Sequence, residues 1–137
     1  MSSQEPMDYA LSIKQPWAAL VVSGVKTIEI RRWPTARRGR ILIHAARIVD
    51  DRTEAWRHLP DDKRLLAQLQ GGIIGAVELS DCVRYGDLPA FLADQAFHLN
   101  EPGWFEPAGL FGFKFTQPKI VPFRALPGWF RFFKVGE

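Results

Sequence analysis

The chain has 137 residues, 47% of them hydrophobic, with a formal net charge of +3, and this suits one globular domain with a core of its own. The single cysteine, Cys82, excludes an intramolecular disulfide, and the scattered His44, His58 and His98 give no metal-ligand spacing. No run of ~20 apolar residues can span a bilayer and the N-terminus has no apolar signal core, so a soluble, cytoplasmic protein is expected, without metal or cofactor.

Residues 1–8 are polar and read as a disordered tail, which leaves 9–137 as the domain. Residues 9–14 alternate apolar and polar and predict a first strand. Gln15 and Pro16 then start a helix, since proline suits a first turn where its missing N–H costs nothing. Trp17, Leu20 and Val21 give the helix one apolar face, and Gly24 stops it. A helix of two turns needs a sheet to hold it. Its N-terminus, at residues 15–17, offers free N–H groups to an anion.

Residues 24–33 concentrate the chemistry. Residues 27–31 alternate as a half-buried strand, with Ile28 and Ile30 on one face and Glu29 and Arg31 on the other. Two charges side by side ask for a polar cleft; on an open surface the pair would add under about 1 kcal/mol. Lys26 has the wrong parity to join them, so it is placed at the turn out of Gly24. Residues 33–39 form a turn-rich loop carrying Arg37 and Arg38, and residues 40–46 a third strand. Between positions 14 and 47, eight basic residues face one acid, so this segment carries +7 and the rest of the chain −4. Such asymmetry is the footprint of a phosphate-binding surface.

Residues 51–70 read as helical, split near Pro60 and ended by Gly71 and Gly72. A long strand follows over 73–83, with a bend or bulge at Gly75. Residues 88–94 predict a short helix, and 98–109 are irregular, with Trp104 and Phe105 placed to cap the core or border a cleft. Residues 110–115 form a strand with Phe111, Phe113 and Phe115 on one face, continued by 119–123; a turn at 125–128 leads to a last strand over 130–135. The expected core includes Leu11, Ile13, Leu20, Ile28, Ile30, Ile41, Ile43, Val77, Phe113 and Phe115. Six strands, an early helix and a middle helical insert predict an α+β domain built on a small β-barrel.

Residues 11–18 followed by Gly24, Lys26, Glu29 and Arg31, a Gly-x-Lys-x-x-Glu-x-Arg signature, resemble the ASCH domain, the activating signal cointegrator homology family. The likeness extends to residues 38–45, to 72–79 and to the closing strands. The resemblance implies a PUA-like fold, a six-stranded β-barrel with short peripheral helices. It also implies a cleft between the first helix and the barrel that holds a nucleotide or a nucleic-acid segment. Carried over, Ser12, Lys14, Gln15, Trp17, Lys26, Glu29 and Arg31 line the cleft, and Arg32, Arg37, Arg38 and Arg40 face phosphates at its rim. Trp17 or Trp33 could stack on a base, although a tryptophan on a short apolar helix is more often core.

Three function classes stand at this point. The first is a monomeric module that binds DNA, RNA or a nucleotide. The second is an enzyme resembling an amidohydrolase of acetylated cytidine, or a ribonuclease, acting through Lys26 and Glu29. The amidohydrolase branch has Thr where this chain has Glu29, and Glu78 is the one further carboxylate offered, from its strand position. The third is a protein-interaction adaptor using aromatics near Trp104 and Trp129. Lys26 and Arg31 sharing the Glu29 carboxylate would favour binding; a desolvated, unpaired Lys26 would favour catalysis.

Overall fold

A computed structural model describes residues 8–136. Its strands are β1 (Asp8–Ile13), β2 (Ile28–Arg31), β3 (Gly39–Ala45), β4 (Gly72–Tyr85), β5 (Leu110–Ala125) and β6 (Phe132–Val135). They form one sheet in the order β2-β5-β4-β3-β1-β6, with β1 and β3 parallel and every other pair antiparallel. The sheet curls into a half-barrel. Helix α1 (Trp17–Val22) packs on its inner face, and all six of its residues are buried. Asp8, expected in the tail, already opens β1; the rest of that tail lies outside the described residues.

The strands follow the predicted alternation. Leu11, Ile13, Ile41, Ile43, Val77, Phe113 and Phe115 point inward and meet Leu20 of α1. Ile28 is buried too, while Ile30 is half-buried in a smaller cluster with Tyr85, Phe91 and Leu110. The hydrogen-bonded ladder ends at β2 and β6, and aromatic rings bring these edges together. Trp33, just after β2, meets Phe132 of β6 edge-on at 5.7 Å and Phe113 of β5 at 5.1 Å.

The segment 51–70 is less helical than its sequence reads. It holds one turn of helix, α2 (Thr53–Trp56), and two 3-10 turns at Asp61–Lys63 and Leu66–Gln68. None is long enough to stand alone, and the carbonyls of Leu66 and Leu69 are taken by the side chain of Gln15. Residues 88–98 form two short helices, α3 (Leu88–Ala93) and α4 (Gln95–His98). The strand over 110–115 does continue past Pro118, because a register shift and a left-handed Gln117 (φ 51°) absorb the proline. Beyond β2, residues 116–125 pair only with β4 among the described residues, and Pro118, Lys119, Pro122 and Arg124 guard that open edge.

Gly75 sits at a register shift between β4 and β5, as the bend requires. A Cβ there would fall 2.2 Å from the Lys119 carbonyl oxygen and 2.4 Å from Val22. The glycine therefore sets how closely α1 approaches the sheet. Gly75→Ala is expected to lower stability by about 3 kcal/mol, read as a lower denaturant midpoint at unchanged slope.

Candidate nucleic-acid interface

The site is built from the end of α1. Gly24 adopts a left-handed conformation (φ 81°), its N–H donates to the Val21 carbonyl, and the Val25 N–H donates to the Leu20 carbonyl at 3.0 Å. This is a Schellman closure, which only glycine makes without strain. The Lys26 N–H also donates to the Leu20 carbonyl at 3.0 Å. The chain turns inward there, so Lys26 is dropped under the helix rather than onto the strand face.

The Lys26 side chain is 1% exposed. Its Nζ donates to the His98 carbonyl, lies 3.8 Å from Glu29 Oε1 and sits 4.7 Å from the centre of the Trp17 ring. On the other oxygen of the same carboxylate, Glu29 Oε2 accepts from Arg31 Nη2 at 2.8 Å and Nε at 3.1 Å. Arg31 Nη2 also reaches the Ser12 carbonyl at 3.0 Å. One buried carboxylate thus holds two cations. Burial lowers the Lys26 pKa from 10.5 to about 8; Glu29 opposes the shift and Arg31 adds to it.

These residues lie on the wall of a cavity of about 740 Å³. Ser12, Lys14, Trp17, Lys26, Glu29, Arg31 and Arg32 of the predicted set all line it. Gln15 does not. Its side chain is fully buried, donating to the Leu66 and Leu69 carbonyls and accepting from the Ala19 N–H, each at 3.0 Å. The Ala18 N–H bonds the Lys14 carbonyl and the Ala19 N–H bonds Gln15 Oε1, so these two N–H groups in the first turn of α1 are taken from within the chain. Trp17 is a wall: its Nε1 donates to Asp50 Oδ2 at 2.8 Å, and Trp104 meets it edge-on at 6.1 Å.

The predicted phosphate rim is scattered. Arg32 borders the cavity and grips Glu106 with Nε at 2.9 and 3.0 Å. Arg37 lies 3.7 Å over the Tyr9 ring, Arg38 is 3.7 Å from Asp81, and Arg40 lines a separate cavity of about 260 Å³. Glu78 lines that smaller cavity as well, so it supplies no carboxylate to the main one.

Sequence reasoning missed four polar members of the site. Asp50 anchors Arg52 through Nη2 at 2.6 Å, and the Arg52 guanidinium lies 3.6 Å from the centre of the Trp104 ring. Burial pushes the Asp50 carboxyl up, but hydrogen bonds from Arg52 and Trp17 outweigh it and hold the pKa at about 2. Asn100 and Glu106 complete the set; Asn100 Nδ2 shares the His98 carbonyl with Lys26. Arg52, Asn100 and Glu106 come from segments read as helix or irregular loop, and Asp50 from the unassigned join before them, where no periodicity marks a cavity-facing side chain.

Replacing Glu29 by Ala strands the buried Lys26 and the half-buried Arg31 together as like charges without their shared carboxylate. It is expected to cost about 3 kcal/mol of stability in chemical denaturation. Lys26 makes a separate prediction. Its folded pKa lies below its unfolded one, so between pH 8 and 10.5 the unfolded state holds more protons and stability rises with pH. Against Lys26→Met, which lacks that titration, the wild type is expected to gain about 3 kcal/mol across this window. A constant difference in denaturation free energy would contradict it.

The family model for the ASCH domain matches residues 11–119. Activating signal cointegrator 1 of Homo sapiens is 36% identical over 91 residues, which are 58% of this chain and 16% of that protein. The Mus musculus protein of that name is 35% identical over 95 residues, with the same shares. The chain therefore spans about a sixth of the length of these curated relatives. The crystal structure of ASCH from Zymomonas mobilis superimposes with a TM-score of 0.62 at 22% identity, covering 88% of this chain and 74% of that one, and it shares the fold. With the signature residues 24, 26, 29 and 31 inside the matched region and the PUA-like half-barrel in place, the chain belongs to the ASCH domain family.

Proposed function

We propose that this domain binds nucleic acid, taking one nucleotide of a DNA or RNA strand into the cavity. The observation that carries this is the Glu29 carboxylate shared between Lys26 and Arg31 on the wall of a cavity large enough for a nucleotide. A shared carboxylate neutralises both cations and fixes their positions, and Arg31, 21% exposed, keeps N–H groups to meet a ligand. Arg52 is set in the same way, clamped by Asp50 and stacked on Trp104, and a guanidinium held like this suits a phosphate. Lys14 and Arg32 extend the positive margin, and Trp104 offers a ring beside it. In this reading Arg37 and Arg38 meet phosphates farther along the strand, Arg40 lies beyond them, and the domain acts as a monomer without metal or cofactor.

A second reading rests on the depressed Lys26 pKa, which gives a buried amine able to move a proton near neutral pH. In the enzyme so formed, Lys26 and Glu29 would act on an acylated nucleoside or on RNA. Against it, Lys26 is paired, and the cavity's other carboxylates, Asp50 and Glu106, are each engaged by an arginine.

Titration with single-stranded and duplex DNA and RNA at several salt concentrations tests the first reading. Affinity for single strands is expected to fall with salt, and Arg52→Gln to reduce the slope of log affinity against log salt by about 0.7. The Arg37→Ala/Arg38→Ala variant is expected to lose about twice that slope; an unchanged slope removes the loop from the interface. Release of cytidine from acetylcytidine by the wild type, lost in Lys26→Ala, would overturn the binding reading and establish the enzyme.

A further inference from the structure

The segment between β5 and β6 holds an aromatic pair that neither the core nor the cavity uses. Trp129 and Phe130 stack on each other with ring centroids 5.3 Å apart and planes 27° from parallel, yet they are 66% and 73% exposed. The segment carrying them is pinned at both ends. The Leu126 N–H donates to the Gly71 carbonyl, and the Leu126 carbonyl accepts from His44 Nε2 at 2.8 Å. Gly128 is pressed against the sheet so closely that a Cβ would fall 2.7 Å from the His44 ring and 3.2 Å from Ser12 Oγ. At the other end the Arg131 guanidinium lies 4.9 Å from the centre of the Trp33 ring. Ser12 and Trp33 both line the main cavity, so the pair stands on a fixed ledge beside it.

We infer that Trp129 and Phe130 form a base-stacking platform for the nucleotides of a single strand that continues out of the cavity. This rests on the nucleic-acid reading above and extends it to a second place on the surface. The flanking charges fit a phosphate backbone. Arg131 sits on Trp33, and Arg37 sits on Tyr9 at 3.7 Å and near Phe132 at 5.4 Å. Neither arginine has a carboxylate within salt-bridge reach among the described residues. Arginines interleaved with exposed rings are how proteins hold single strands without reading their sequence, because every base has a π-face. A protein partner fits less well. Two aromatic side chains offer at most about 500 Å², whereas a stable interface takes about 800 Å² from each partner. A duplex fits less well too, since its bases are already stacked.

The test uses the full chain, its Trp129→Ala/Phe130→Ala variant, and single-stranded oligothymidylates of two and ten nucleotides, titrated by calorimetry at several salt concentrations. The variant is expected to keep the wild-type melting temperature, because both rings are exposed. It is expected to lose about tenfold or more in affinity for the ten-mer and to leave the two-mer unchanged. The salt slope is expected to stay the same, since stacking displaces no counterions. Wild-type affinity for the ten-mer in the variant would overturn the platform while the cavity reading stands. Equal losses for both lengths would overturn it as well, because the pair would then be acting on the cavity itself. A wild type that binds neither oligonucleotide would overturn the cavity reading and the platform together. A self-associating wild type whose variant sediments as a monomer, with unchanged ten-mer affinity, would replace the platform with a contact between copies.

Discussion

The ammonium of Lys26 is shut off from water beneath α1, and the surrounding structure is arranged to make that tolerable. An isolated buried ammonium is costly enough that it ordinarily gives up its proton. Here it has a carboxylate, a backbone carbonyl and the face of an indole around it. Each of these depends on another element. Glu29 is presented by β2 against β5, the His98 carbonyl by the end of α4, and Trp17 by α1. Lys26 therefore ties together segments that share few other contacts.

The His98 carbonyl has its own support. The His98 ring stacks on Phe91 at 4.2 Å, and Nε2 donates to the Phe91 carbonyl at 2.7 Å, which makes it the protonated nitrogen. Nδ1 then accepts from the Asn100 N–H at 3.0 Å. Both ring nitrogens are used by a neutral imidazole, and burial lowers its pKa, with Lys26 adding to that effect. His44 follows the same pattern on the other side of the sheet, between the Leu126 carbonyl and the Ser12 hydroxyl. Two histidines that could pass in a sequence for catalytic groups are neutral struts. One aims the carbonyl that receives Lys26, and the other pins the segment that carries Trp129.

Trp33 links the barrel to the cavity. It closes the seam where β2 and β6 share no hydrogen bonds, and it lines the cavity as well. The seam and the cavity wall thus share one side chain, and the aromatic cluster of Trp33, Phe113 and Phe132 holds the open edge of the half-barrel beside the cavity. Among the described residues, no helix is long and apolar enough to cross a membrane.

Local chemistry in the sequence was enough for much of this protein. Alternation placed the strands because one face of each meets the core, and Gly24 marked the end of α1 because only a left-handed residue closes a helix in that way. The spacing of residues 24, 26, 29 and 31 carried the family and the centre of the site. Tertiary structure decided what depends on partners distant in the chain. Gln15 became a strut because residues 66 and 69 offered it carbonyls. Segment 51–70 gave up most of its expected helix and supplied Asp50's neighbour Arg52 to the cavity. The loop arginines spread to rings and carboxylates instead of gathering at one rim. Periodicity is set by which face of an element is buried, so it can be read locally, whereas the role of a polar side chain is set by whichever donor or acceptor the fold brings within about 3 Å of it.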